Sequence, residues 1–349
     1  MEKGKENVGS SRPLVSVVVP VYNAASTVEN TVNSVKRNTC ADWELILVND
    51  GSTDHSGDIC RRLSESDSRI KYFEQENSGP SGARNLALDK ATGRYLMFLD
   101  SDDEYHPEMI GRMAETAESH NADVVMCAIE AENASGRREV IKHFMPEGRI
   151  VEGQEAASTF LRSLLRDGAG RTPSLCNKIY SMEFIRRAGM RFEPWMRHGE
   201  DWAFNMNLFR NEAPRMYFMD DALYLYLHRD DSISRSYVKP ESEHPLHSLD
   251  LMLKFDSRYS LGEEESIKAR YIAETFDDLI SAYAHETRRE SRRLFDAFLR
   301  QERTMEILKD SAGLPLNRAH RLYASMFRLG GCGFGIFFLR QAAALRRRT

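Results

Sequence analysis

Val15–Val21 reads VSVVVPV, a β-branched apolar run without polar alternation, as expected of a strand covered on both faces. Ser26–Lys36 then carries Val28, Thr31, Val32 and Val35 at helical spacing. The alternation continues with strands predicted at Trp43–Val48, Ile70–Phe73, Tyr95–Leu99 and Asp123–Ile129. Between them, helices are predicted over Asp54–Leu63, Ser81–Lys90 and Pro107–His120. This order predicts an α/β fold with a doubly wound, mainly parallel sheet. Beyond about Glu130 the signal weakens. Arg138–Phe144, Met216–Met219 and Ala222–His228 read as strands, and Gly153–Arg166 and Glu200–Arg210 as helices. Pro245 to Lys309 is helical and highly charged, a candidate separate module.

Ligands of such sheets sit beyond the carboxyl ends of the strands. Three predicted strands end in polar clusters: Tyr22-Asn23, Asn49-Asp50-Gly51 and Asp100-Ser101-Asp102-Asp103. In extended chain Asp100 and Asp102 point the same way and can address one ligand. Paired carboxylates suit Mg²⁺ or Mn²⁺, which keep water and bind substrate phosphate oxygens. A solvated acidic turn is the plainer explanation, and a strand-end position favours the metal. Asp50-Gly51 reads either as a tight turn or as a nucleobase or ribose contact, and Asp54 as a helix N-cap.

Asn77 to Asn85 is a glycine-containing loop opening a helix. Ser78 or Ser81 would cap that helix. Arg84 lies near its start, where a cation is disfavoured, so a phosphate or the acidic cluster is its expected partner. His198-Gly199-Glu200-Asp201-Trp202 precedes an apolar helix; capping explains one carboxylate, and the other is a candidate general base. Tyr224 and Tyr226 share a strand face and are expected to pack, while His228 and Arg229 reach either phosphates or solvent.

Composition narrows the classes. The chain has 349 residues, 41% hydrophobic and 29% charged, the balance of a globular protein. Met1 to Arg12 lacks the apolar centre of a secretory signal, and no apolar run spans a bilayer, so a cytoplasmic protein is expected. Five scattered cysteines argue for packed thiols rather than a disulfide framework or zinc site. Seven arginines and no acid follow Asp310, which leaves −12 on residues 1–310 against −5 overall. That asymmetry suits an anionic surface and not a nucleic-acid grip. Leu322–Leu345 mixes aromatics with arginine, which fits either an anionic membrane at its inner face or packing on its own domain or a second subunit.

The succession Pro20-Val21-Tyr22-Asn23, Val48 to Asp54, Gly79 to Asn85, Phe98 to Asp103 and Gly199-Glu200-Asp201 resembles the family-2 inverting glycosyltransferases of GT-A fold. The match covers about residues 13–235. The resemblance implies a UDP-sugar donor, with Pro20, Tyr22 and Asp50 on uridine and Asn77 and Arg84 on the nucleotide. It sets Asp100, Ser101 and Asp102 at the ribose-diphosphate, with Asp100 and Asp102 on Mn²⁺ or Mg²⁺. Asp201 matches the family's general base, and His228 and Arg229 fall where the diphosphate is closed over. Hexosyl or N-acetylhexosaminyl transfer to a saccharide or lipid-linked saccharide in cell-surface polysaccharide or glycoconjugate synthesis follows as an expectation. The corresponding division is a flexible 1–12, a GT-A domain over 13–240 (nucleotide-sugar half 13–130, acceptor half 131–240), and a helical 241–349 with a basic amphipathic tail.

Two rivals remain open. A sugar nucleotidyltransferase would want a basic glycine-rich loop where Tyr22 to Ser26 stands, and a non-catalytic nucleotide-sugar-binding protein would not need Asp100, Asp102 and Asp201 together. No GxGxxG follows the first strand, which disfavours a dinucleotide oxidoreductase.

Overall fold

The computed structural model describes residues 12–133, 135–143, 145, 147–167, 174–194, 196, 199–227, 244–328, 337 and 341. The chain forms two units, one of residues 1–160 and 169–230, the other of residues 161–168 and 231–349.

The first unit is built on a sheet. Strands β1 (Val15–Val21), β2 (Trp43–Asp50), β3 (Ile70–Gln75) and β4 (Tyr95–Phe98) lie in the order β3-β2-β1-β4, all parallel. Helices α1 (Val28–Lys36), α2 (Ser56–Ser66) and α3 (Gly79–Lys90) connect them. Every residue of β2 is buried, as its unbroken apolar run requires. The second half continues with β5 (Glu104–Tyr105), α4 (Met109–Ser119), β6 (Val124–Glu132), β7 (Arg138–Ile141) and β8 (Ile150–Val151). A helical stretch from Gly153 contains a π turn at Ala157–Leu161, where the Thr159 hydroxyl bonds back to the Glu155 carbonyl. Then come β9 (Lys178–Ser181), a helix at Met182–Arg187, a helix at Glu200–Asn207 and β10 (Met216–Leu227).

The sheet runs β3-β2-β1-β4-β9-β6-β10-β5, with β7 on β6 and β8 on β10. Its principal strands are parallel, but β9 enters antiparallel between β4 and β6. No strand is foreseen at β9 from the sequence. The two strands predicted at 216–219 and 222–228 are one. Asp220-Asp221 falls at a register shift of β10, where Lys142 and Arg112 hold the two carboxylates.

The second unit is helical, as its charged pattern predicts. His244–Tyr259, Glu264–His285, Arg288–Leu299 and Glu302–Lys309 are helices around Met252, Phe255, Ile272, Phe276 and Phe298. Residues 318–328 are helical too, with Ala324 and Phe327 buried and Phe327 stacked on Phe276 at 5.6 Å. This stretch of the tail packs on its own unit; most of the tail beyond it lies outside the described residues. Among the described residues no helix is long and apolar enough to cross a membrane, and Cys60, Cys127 and Cys176 are buried thiols.

Candidate functional site

The carboxyl ends of β1, β2 and β4 meet three loops. After β1, Asn23 takes a left-handed conformation (φ 50°), and its Oδ1 accepts from the Thr53 amide at 2.8 Å. That bond fastens the loop bearing Tyr22 to the loop after β2. Asp50 is 3% exposed, and its Oδ1 accepts from Gln75 Nε2 at 2.6 Å and the Ser78 amide at 2.9 Å. Gly51 has φ 68°, and a Cβ there would stand 2.8 Å from the Asn77 nitrogen. Only glycine lets these two loops approach so closely. Half-buried Pro20, exposed Tyr22 and Asn77, and Asp50 thus come to one rim. Asp54, expected as the N-cap, lies one position further out: His55 is the N-cap, and Asp54 Oδ1 accepts from the Ser56 amide at 2.9 Å.

The acidic loop after β4 is held from two sides. Thr31 Oγ1 donates to the Ser101 and Asp103 carbonyls, each at 3.0 Å. Asp103 is buried and accepts from the Tyr224 hydroxyl and, at 2.9 Å, from the Leu227 amide. Burial, reinforced by Asp100, drives the Asp103 carboxyl well above its usual range. Asp103 therefore faces inward as a tether to β10, while Asp100 stays 40% exposed and Asp102 half-buried. Sequence reasoning does not separate this tether from the neighbouring acids: the extended chain expected through Asp100 and Asp102 is instead a turn, closed by the Asp103 amide donating to the Asp100 carbonyl at 3.2 Å.

Arg84 lies at the centre. Its side chain is 5% exposed, and its guanidinium meets Asp100 at 3.1 Å, Glu200 at 2.9 Å and Asp201 at 3.3 Å. Burial disfavours its charge, but Asp201, Asp100 and Glu200 outweigh that and raise its pKa. Beneath it, Phe98, Tyr180, Phe192 and Phe204 form an edge-to-face and stacked cluster, with the Arg84 guanidinium 5.6 Å from the Phe192 ring centre.

Gly199, in a left-handed conformation (φ 75°), caps the helix that Glu200 and Asp201 open. Burial pushes the Asp201 carboxyl up to about 7, against the pull of Arg84, with Glu200 and Asp100 adding to the rise. The Leu175 amide hydrogen-bonds this carboxylate, and Asp201 Oδ1 is a buried oxygen without a hydrogen-bond partner. A carboxyl raised toward neutrality beside a half-buried acidic pair has the properties of a general base. His228 and Arg229, with His198, lie outside the described residues.

Three carboxylates around one guanidinium leave the cluster acidic, which repels a bare diphosphate. Asp100 and Asp102 offer hard oxygen donors at the rim, and among the described residues no group of three or more His, Cys, Asp or Glu adds a further ligand set. Two carboxylates completed by water and substrate oxygens is the donor set Mg²⁺ and Mn²⁺ accept, so the residues fit such an ion.

A mixed, mainly parallel α/β sheet with a carboxylate pair after β4 and a buried acid at a later helix start defines a GT-A architecture. The model of the family described as Glycosyl transferase family 2 matches residues 16–189. The uncharacterised glycosyltransferase EpsJ of Bacillus subtilis is 33% identical over 253 residues, 71% of each chain. TuaG of the same organism, described as a putative teichuronic acid biosynthesis glycosyltransferase, is 45% identical over 105 residues, 30% of this chain and 42% of TuaG. The chain thus spans less than half of TuaG. Crystal structures of S. aureus TarS residues 1–349 share the fold; the complex with UDP-GlcNAc superposes with a TM-score of 0.64 at 20% identity, covering 96% of this chain and 92% of that one. The chain belongs to glycosyltransferase family 2.

Proposed function

We propose that the protein transfers a sugar from a UDP-sugar to an acceptor hydroxyl with inversion at the anomeric carbon, Asp201 acting as general base. The observation that carries this reading is the buried Asp201 carboxylate at a helix start, linked through the Arg84 guanidinium at 3.3 Å to Asp100 at 3.1 Å, with burial raising its pKa. A carboxyl raised toward neutrality is about half ionised at neutral pH, and its ionised form is basic enough to take a hydroxyl proton. The freed oxygen attacks the anomeric carbon from the face opposite the nucleotide; the bond to UDP breaks, and its electron pair leaves with the diphosphate. Arg84 holds Asp201 and Asp100 in fixed relation across that line. Asp100 and Asp102 would hold Mn²⁺ or Mg²⁺, which when bound would supply charge neutralisation for the leaving group.

Pro20, Tyr22, Asp50 and Asn77 form the rim for uridine, and Ser101 lies beside the ribose-diphosphate. His228 and Arg229 follow β10, and we assign them to the diphosphate. The UDP-GlcNAc of TarS supports a UDP-hexose or UDP-N-acetylhexosamine donor. The description of TuaG supports a role in polysaccharide synthesis, and a saccharide or lipid-linked saccharide is the acceptor we assign.

A panel of nucleotide-sugars with Mn²⁺ or Mg²⁺, scored for UDP release, tests the donor; no release and no UDP binding across the panel defeats the reading. Asp201→Asn is expected to abolish transfer and leave UDP binding largely intact, and equal loss of both would remove Asp201 from the role of base. In the wild type the rate is expected to rise with pH through about 7 as Asp201 ionises.

A further inference from the structure

Behind the base stands a lysine that the proposed chemistry does not use. Lys178 opens β9 in the middle of the sheet, opposite Met126 of β6, and is 0% exposed. A lysine is among the residues least often found fully buried. Its ammonium donates to the Ser174 carbonyl and, at 3.0 Å, to Asn177 Oδ1, and lies 5.9 Å from the Phe160 ring centre. Asn177 is 1% exposed and in turn donates from Nδ2 to the Cys127 carbonyl of β6 at 2.8 Å. The ammonium therefore ties both ends of the turn 174–177 to the sheet from inside.

That turn touches the base. Leu175, within it, supplies the amide that hydrogen-bonds the Asp201 carboxylate. The same strand supports the base by a second route. The Tyr180 hydroxyl donates to Asn205 Oδ1 at 3.4 Å, and Asn205 Nδ2 donates to the Asp201 carbonyl at 2.9 Å. Lys178 and Asp201 also interact by charge: burial pushes the Lys178 ammonium down to about 7, and Asp201 opposes that. A charge buried in a sheet is costly, so its retention beside an acidic site calls for a compensating role.

We infer that Lys178 is a positioning residue for Asp201: by fastening the 174–177 turn from inside the sheet it fixes the Leu175 amide on the carboxylate. The inference rests on Asp201 being the base. The charged and titratable groups facing Asp201 are Arg84 from α3, Asp100 from the loop after β4, Glu200 from its own helix, and Cys176, Lys178 and Tyr180 from β9 and the turn before it.

The test uses the full-length protein with the most active donor from the UDP-release panel. Lys178→Met keeps the unbranched side chain out to Cε and removes its charge and donors. The expected result is a fall in kcat of about 10- to 100-fold, the scale of a mispositioned catalytic group, with UDP affinity unchanged. The acidic limb of the pH–rate profile should move up by about one pH unit, because a loosened turn withdraws the Leu175 amide that favours the ionised Asp201. Lys178→Arg should restore much of the rate and return the limb. A limb that stays in place, or a loss of kcat matched by an equal loss of UDP binding, overturns the inference. Should Lys178→Met not fold, Asn177→Leu removes the oxygen that holds the ammonium and is read by the same two measures. Asp201→Asn runs alongside: full activity in that variant sinks the base assignment itself, whereas an inactive Asp201→Asn with an unmoved limb in Lys178→Met sinks only the role of Lys178.

Discussion

Replacing Asp201 by asparagine should stabilise the fold at alkaline pH while it removes activity. In the folded protein burial raises this carboxyl from an ordinary 3.8 to about 7, so the native state holds a proton that the unfolded chain has lost between those values. Stability therefore declines as pH rises from about 4 to about 7, and the whole penalty is present above that. A tenfold difference in proton affinity between the folded and unfolded chain is worth about 1.4 kcal/mol. The cost of ionised Asp201 at pH 8 therefore approaches about 4 kcal/mol, with about 3 kcal/mol of it developing above pH 5. Asparagine has the same shape and no charge, and Arg84 keeps Asp100 and Glu200 as partners. Urea unfolding of both proteins at pH 5 and pH 8 measures the difference. Relative to wild type, the variant should gain about 2–3 kcal/mol on going from pH 5 to pH 8. A difference that does not change with pH, or one that favours wild type more at pH 8, would mean that Asp201 titrates as an ordinary surface acid, and the physical basis for a neutral-pH base would go with it.

Three further outcomes are expected. Asp102→Ala should lower UDP release about 100-fold or more and abolish its response to added Mn²⁺, since several kcal/mol of leaving-group stabilisation are removed; a retained Mn²⁺ response excludes Asp102 as a ligand. Tyr224→Phe deprives the buried Asp103 carboxylate of a hydroxyl donor and should lower stability by about 1–3 kcal/mol in urea unfolding, with no change refuting the tether. Gly51→Ala places a methyl 2.8 Å from the Asn77 nitrogen at a left-handed φ, so it should cost about 1–3 kcal/mol and weaken UDP binding measured by calorimetry; unaltered affinity would separate this contact from the nucleotide rim.

The parallel strands are legible in the sequence because burial on both faces leaves an unbroken apolar run, as in Val15–Val21 and Trp43–Asp50. The acidic loop can be located for the same reason, since it follows such a strand directly. What cannot be read is anything decided by packing between distant segments. β9 is four residues long and begins with a lysine, so neither length nor hydropathy marks it as the middle of a sheet. Asp103 looks like Asp102 in the chain and differs only in facing Tyr224. Arg84 is expected to meet phosphate or the acidic cluster, and its three ion pairs assign it to the second in this state. Asp220-Asp221 reads as a strand end because the sequence does not show that Lys142 and Arg112 absorb the charge of the pair.

The reversed strand also sets an order of events during synthesis. β4 and β6 are complete once residue 132 has emerged, yet the edges they will share with β9 remain open until Lys178–Ser181 arrives. Open edges invite pairing with other chains. A nascent chain halted between these points would carry two ready templates for aggregation, whereas one extended past Ser181 closes both at once. The helix bearing Glu200 and Asp201 follows β9 in the chain, so the candidate base is made after β9 can close the gap between β4 and β6, while the far edge of β6 still waits for β10.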